Sequence, residues 1–287
     1  MGVAKHATRV RCADGLQMGL DVYVPEGETR PLPVAVVCHG FKGFKDWGCF
    51  PPLAERLAGS GRAVALFDFS HNGVGEAGGC VAGGEFTRLD LFGAQTISRH
   101  VADLGAILDA LDGGAFAEQA NLQRNRHFNV VGHSLGAAVA MLRAADDARI
   151  VQLATLNGTA SLDRFTPDHA QELAATGQVL VRNTRTGQDM PLGRAWFDDV
   201  ARLDLESAAT QIFVPALVIA GDADVSVPLQ ESRTINGWIA GSRLVVIPGG
   251  DHVFGARHPF AGWTPALTAA CRELDAFLPH VGRLGGI

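Results

Sequence analysis

The sequence lacks any long apolar run. No stretch approaches the roughly 18 residues needed to cross a bilayer, so no membrane partner is expected. Residues 1–10 carry Lys5, His6 and Arg9 and no apolar core of a secretion signal, and the expected location is the cytoplasm. The five cysteines (Cys12, Cys38, Cys49, Cys80 and Cys271) are odd in number, scattered and without a C-x-x-C pair. That pattern excludes a disulfide framework; the thiols read as reduced and mostly buried. No H-E-x-x-H or similar ligand spacing occurs, so neither a metal nor another cofactor is expected. Positive charge is not in excess: the formal net charge is -6, which argues against nucleic acid or an anionic membrane surface as a partner. Internal repeats and low-complexity segments are also missing. A small-molecule substrate remains as the partner, and the oligomeric state is left open.

What is present is apolar material in short, regular pieces. Hydrophobic residues make up 47% and charged residues 19% of 287, enough for a large buried core. Residues 8–12 and 16–24 alternate apolar and polar around Ala13-Asp14-Gly15, the pattern of an antiparallel hairpin. Residues 34–38, 63–67, 128–131, 150–156, 216–220 and 244–247 are almost continuously apolar, as strands buried on both faces should be. Helices are expected at 50–58, with Pro51 and Pro52 in the first turn, and at 91–111, 134–145, 229–239 and 265–278. This alternation predicts an α/β fold: a mostly parallel central sheet, an N-terminal antiparallel hairpin and helices on both faces, in a single domain over 1–287. The rhythm breaks between 157 and 211, with a polar helix at 167–176, a small hairpin at 179–187 and a stretch holding Trp196 and Phe197. About fifty residues is too long for an ordinary connection, and 157–211 reads as a small cap insertion over the site.

The chain is organised around Gly132-His133-Ser134-Leu135-Gly136, which fits G-x-S-x-G after an apolar run and before helix-compatible residues. Such a stretch encodes a strand, a very tight turn and a helix, with Ser134 strained at the turn and its hydroxyl raised above the sheet edge. The competing reading is an idle serine. A nucleophile needs a base and a group that orients the base. The loop Gly221-Asp222-Ala223-Asp224 supplies two carboxylates; Asp224, deeper in the loop, is preferred, and Asp222 is the alternative. The loop Gly249-Gly250-Asp251-His252 supplies a glycine-flanked imidazole, His252, with His258 as the fallback. His133 neighbours the nucleophile but points away from it, and His39 reads as a brace for its own loop. Backbone N–H groups must meet the developing oxyanion: Leu135 supplies one, and Phe41, after the close-turning Gly40, the other. Gly40, Phe44, Trp47, His133, Trp196 and Phe197 are the candidate pocket residues, with ordinary core as the alternative for the aromatics. Gly73-Val74-Gly75-Glu76-Ala77-Gly78 formally fits G-x-G-x-x-G, but no helix opens there and a dinucleotide is not expected. The 73–84 segment reads as a mobile wall beside the site.

Taken in order, His39-Gly40-Phe41, Asp68, Gly132-His133-Ser134-Leu135-Gly136, Gly221-Asp222-Ala223-Asp224 and Gly250-Asp251-His252 resemble the landmarks of an α/β-hydrolase, over residues 16–279. The resemblance is greatest to the serine esterase branch, which includes feruloyl and cinnamoyl esterases and dienelactone-hydrolase-like proteins. It implies an α/β-hydrolase fold, with acid and histidine following the serine and a cap between the sixth and seventh strands. It also implies cleavage of carboxylic esters through an acyl-enzyme. Residues 76–84 match no family landmark, and the cap sequence matches no substrate class. Peptidase or amidase, thioesterase or acyltransferase action uses the same triad, and a ligand receptor of the same fold is a further alternative.

Overall fold

The structure, a computed structural model, describes residues 2–74, 84–116, 118–122 and 127–281. The alternating N-terminal segments form β1 (Val3–Arg11) and β2 (Gln17–Pro25), paired antiparallel around a turn at Gly15, φ 88°. β1 starts earlier than 8–12 because its pairing runs unbroken to Val3↔Pro25. The continuously apolar segments become β3 (Val34–Cys38), β4 (Ala63–Phe67), β5 (Phe128–His133) and β6 (Ile150–Leu156). β3 and β4 are buried along their whole length, the expected state for a parallel sheet covered on both faces.

Between the strands lie α1 (Phe50–Gly59), α2 (Leu89–Gly93), α3 (Ile97–Asp112) and α4 (Leu135–Asp146). The single helix expected at 91–111 is thus two. Thr96 caps α3 by accepting from the Arg99 amide, which ends helical continuity before it. Gly93, at the end of α2, packs on Pro191 of the segment that follows β6. The apolar periodicity runs through this break and conceals it.

After β6 come α5 (Pro167–Thr176), β7 (Gln178–Arg182), β8 (Asp189–Gly193), α6 (Arg194–Val200) and α7 (Leu205–Thr210). β7 and β8 pair only with each other among the described residues. The hairpin expected at 179–187 covers only the first strand and turn of this pair; the return strand begins at Asp189. The regular alternation resumes with β9 (Ala216–Gly221), α8 (Leu229–Trp238), β10 (Arg243–Ile247) and α9 (Pro265–Phe277).

The main sheet has the order β1-β2-β4-β3-β5-β6-β9-β10, parallel from β4 to β10. One face is covered by α3, α4 and α8, through Leu104, Leu108, Val139 and Ile235, and the other by α1 and α9, through Leu53, Leu57, Leu267 and Leu274. Each such buried side chain contributes about 1.5–3 kcal/mol. The register matters more for function. Cys38 pairs with Gly132, His133 with Leu156, Leu156 with Ile219, and Gly221 with Ile247. The carboxyl ends of five strands therefore stop level, and the loops that leave them share one edge, where ligands bind in open α/β sheets.

Candidate active site

Ser134 joins β5 to α4 with φ 54° and ψ -120°, a conformation that costs a non-glycine residue about 1–3 kcal/mol. The neighbouring glycines explain how the turn forms. A Cβ on Gly132 would lie 2.4 Å from Ala137 Cα, and one on Gly136 would lie 2.3 Å from the Cys38 carbonyl oxygen. Strand, helix and the end of β3 thus meet backbone to backbone. Ser134 occupies the cap position of α4 without making a side-chain capping bond, and its Oγ has no hydrogen-bond partner among the described residues.

The loop after β3 approaches the serine just as closely, since a Cβ on Gly40 would lie 2.9 Å from Ser134 Cβ. His39 holds this loop. It is buried, its Nδ1–H donates to the Gly40 carbonyl at 2.9 Å, and its Nε2 accepts from the Phe69 amide and from Asn72 Nδ2. Burial pushes its pKa down to about 4, so the neutral Nδ1–H tautomer is the one present. Further along, Asp68 accepts from the Lys45 amide at 2.9 Å and from Asn72 Nδ2 at 3.0 Å. The amides of Phe41 and Leu135 donate to no acceptor among the described residues; Leu135 opens α4, where orphan donors are left for a ligand, and Phe41 lies within the turn closed by the Gly43 amide on the Gly40 carbonyl.

Asp224 is buried. Its Oδ1 accepts from the amides of Ser226 and Val227 at 2.8 and 2.9 Å, and its Oδ2 lies 2.8 Å from His252 Nδ1. Burial pushes this carboxyl up, but the bonds from His252, Val227 and Ser226 outweigh that and hold it below its ordinary value. An ionised carboxylate only accepts, so Nδ1 of His252 carries the proton in this pair. Asp222 does something else: it accepts from the Gly249 amide at 2.7 Å and ties the two loops together. They are pressed backbone to backbone, for a Cβ on Gly221 would lie 2.0 Å from the Gly250 carbonyl oxygen.

Asn157, which sequence reasoning missed, completes the clamp. It sits past the end of β6 in the left-handed region, φ 46°, fully buried. Its Oδ1 accepts from the Gly221 amide at 2.7 Å, and its Nδ2 donates to the carbonyls of Asp251 and His252, each at 3.0 Å. One side chain thus fixes the root of the acid loop against the histidine loop. The only sequence signal was an Asn directly after an apolar strand, a residue type that tolerates positive φ.

Ser134, Leu135, Phe41 and His252 open onto a cavity of about 420 Å³, within the range of small-molecule sites. Leu162, Phe165, Val181 and Trp196 supply its apolar wall and Lys42, Arg164 and His169 its polar one. Of the expected pocket residues, Trp196 lines this cavity, Gly40 lies against Ser134, and Phe197 stands one layer back, its ring 4.6 Å from that of Phe165. Three others lie elsewhere. Lys42, φ 56°, turns the chain so that Phe44 enters the core against Phe86 and His258. Trp47 and His133 border a separate apolar void of about 20 Å³ behind the histidine loop. His133 ends β5 on the face opposite the cavity, donates from Nε2 to the His252 carbonyl at 2.9 Å, and has its pKa pushed down to about 3 by burial and by His252. It is a brace and not a pocket wall. His258 accepts from the Gly48 amide and does not meet Asp224. Of the glycine-rich wall expected at 73–84, residues 75–83 lie outside the described residues.

Among the described residues, no group of three or more His, Cys, Asp or Glu is placed to hold a metal ion. Cys12, Cys38, Cys49 and Cys271 are buried and unbridged, and burial pushes their thiols up. Cys80 lies outside the described residues. No helix among them is long and apolar enough to cross a membrane.

Residues 35–281 match the model of the Alpha/beta hydrolase family. No curated protein sequence matches the chain. Among solved structures, Est1E from Butyrivibrio proteoclasticus with ferulic acid bound superposes with a TM-score of 0.71 at 19% identity, covering 94% of this chain and 97% of that one. The esterase domain of a Rhodothermus marinus protein superposes at 0.62 and 17% identity, over 96% of this chain and 97% of that one. At such identities the likeness is one of fold.

Proposed function

The chain belongs to the α/β-hydrolase family, and from that premise we propose that it is a serine hydrolase that cleaves carboxylic esters through an acyl-enzyme on Ser134. The observation that carries this reading is the Asp224–His252 hydrogen bond of 2.8 Å, whose imidazole opens onto the same cavity as Ser134. In the proposed reaction His252 Nε2 takes the proton from Ser134 Oγ as that oxygen adds to the ester carbonyl. Asp224 keeps Nδ1 protonated and stabilises the imidazolium that forms. The amides of Phe41 and Leu135 receive the oxyanion; one such donor is worth on the order of 10²–10³ in rate. His252 then gives its proton to the leaving alcohol. In the second half it activates water, which releases the acid and regenerates Ser134. The mechanism requires Ser134 Oγ to reach His252, and bonds of this kind commonly tighten once a ligand occupies the site.

The ester preference is supported by the two esterase-type neighbours only at the level of fold, so the test has to be chemical. Ser134→Ala is expected to retain the wild-type circular dichroism spectrum and lose hydrolysis of p-nitrophenyl butyrate. The same pair of proteins on matched thioester and amide substrates assigns the acyl bond. Turnover that survives in the alanine protein would mean that another group carries the chemistry.

A further inference from the structure

The chain contains three lysines, Lys5, Lys42 and Lys45. Two of them meet carboxylates inside the fold. Asp21 Oδ2 lies 2.8 Å from Lys5 Nζ and 2.6 Å from Lys45 Nζ, and Asp46 adds a second contact to Lys45. Burial lowers both ammonium groups, but their bonds to Asp21 more than offset it and hold both above the ordinary lysine value.

Lys42 is built differently. Among the described residues no carboxylate pairs with it: Nζ donates to the Arg182 carbonyl at 2.9 Å and lies 5.5 Å over the Phe41 ring. Burial pushes its ammonium down, and the positive charge of Arg185 pushes it further the same way. Its backbone is left-handed, φ 56°, where a β-carbon is strained and the adjacent Gly43 would not be. Lys42 is thus a partly exposed cation with no matching carboxylate among the described residues, at a strained backbone position one residue past the expected oxyanion donor.

The wall around it carries no compensation. Lys42 lines the cavity that holds Ser134 and His252, and among the described residues no Asp or Glu lines that cavity. Arg164, the other permanent cation there, is already matched: Nη2 meets Glu231 Oε2 and Thr159 Oγ1, and Nη1 donates to the Ser226 carbonyl at 2.9 Å. His169 is held by the Thr166 amide and hydroxyl at the start of α5. Among the described residues, the cavity charge without a matching carboxylate therefore resides on Lys42.

We propose that Lys42 binds a second, ionised carboxylate of the substrate, so that the preferred esters are half-esters of dicarboxylic acids or esters whose alcohol bears a carboxylate. This rests on the ester-hydrolase reading and names its substrate class. The bound carboxylate supplies for Lys42 what Asp21 supplies for Lys5 and Lys45. A charge-assisted bond in a partly dry cavity is short and strong. Its loss corresponds to about 10- to 100-fold in specificity. The competing role is a tether, in which the bond to Arg182 merely ties the Phe41 loop to β7. A tether affects all esters alike.

Two matched pairs separate these roles. Mono-p-nitrophenyl adipate against p-nitrophenyl pentanoate places the carboxylate on the acyl side; meta-carboxyphenyl butyrate against phenyl butyrate places it on the alcohol. For each pair the quantity read is the ratio of kcat/KM, charged over neutral, in the wild type, Lys42→Met and Lys42→Arg. The proposal expects at least one pair in which the wild type favours the charged ester, Lys42→Met lowers the ratio by about 10- to 100-fold, and Lys42→Arg keeps most of it. Ratios in both pairs that Lys42→Met leaves unchanged, whether or not absolute rates fall, overturn it while leaving the hydrolase reading intact. A wild-type protein that hydrolyses no member of either pair overturns the hydrolase reading itself.

Discussion

The loops at the carboxyl edge of the sheet and the segment between β6 and β9 face each other across one cavity, yet they are held by different physics. The edge loops are fixed by backbone. Gly40, Gly132, Gly136 and Gly221 each sit where a single added carbon would collide with main chain or with Ser134. Asp224, Asp222, His39 and Asn157 then bond to amides and carbonyls, so the groups they position have little freedom. The segment instead presents side chains. Trp196 leans on Phe41 at 5.6 Å and Phe165 on Phe197 at 4.6 Å, while α5 buries only Leu173. A backbone-built edge constrains which reaction is possible. A wall built of exchangeable side chains constrains which molecule undergoes it.

The largest effect that can test this division lies within the acid loop. If Asp224 fixes the His252 tautomer, Asp224→Asn should lower kcat by on the order of 10⁴, as replacing a triad carboxylate does. Asp222→Asn, whose amide oxygen can still accept from the Gly249 amide, should cost far less in kcat. The comparison is made on one neutral ester at saturating concentration. Equal losses, or the greater loss at Asp222, would reassign the acid and undo the mechanism argued from the 2.8 Å bond.

How much of this was legible follows from which interactions are local. The strands at 34–38 and 63–67 coincide with β3 and β4 because a strand buried on both faces must be continuously apolar. Ser134, Asp224 and His252 stood out because each follows such a strand in a short glycine-bearing loop, a signal contained in a few consecutive residues. Phe44 and Trp47 were misplaced because aromatic composition does not tell on which side of a left-handed residue, here Lys42, the chain continues. Arg164 and Glu231 stand 67 positions apart, and their pairing is visible only once α8 is placed beside the chain after β6. Asn157 depends on the registers of β6, β9 and β10 together, which no window of sequence contains.

Asn157 is also where the division can be broken. By position it opens the segment, but by its bonds it belongs to the edge. If bonding decides, Asn157→Ala should lower kcat on all esters alike, by on the order of 10² for a displaced catalytic group. Stability should fall too, because the Gly221 amide loses its acceptor inside the protein; a buried group left unsatisfied costs about 1–3 kcal/mol. Rates measured well below the Tm of the variant separate the two effects. Full kcat in the folded variant would show that the clamp holds the fold and not the chemistry.

The smallest effect should come from the segment proper. Phe165 lines the cavity and touches Phe197 and His169 by ring contacts, while its amide, like those of the edge, bonds locally, to Asp163. Phe165→Ala removes a wall and no catalytic or clamping group. One or two apolar contacts in such a wall discriminate between substrates by about 10-fold. The expected change is therefore in the ratio of kcat/KM between a bulky and a small acyl ester, p-nitrophenyl hexanoate against acetate, with the ratio shifting toward acetate. A fall in kcat common to both esters, with their ratio intact, would place Phe165 with the edge loops. The segment would then be part of the catalytic apparatus, and the contrast between a backbone-built reaction edge and a side-chain-built selecting wall would not hold.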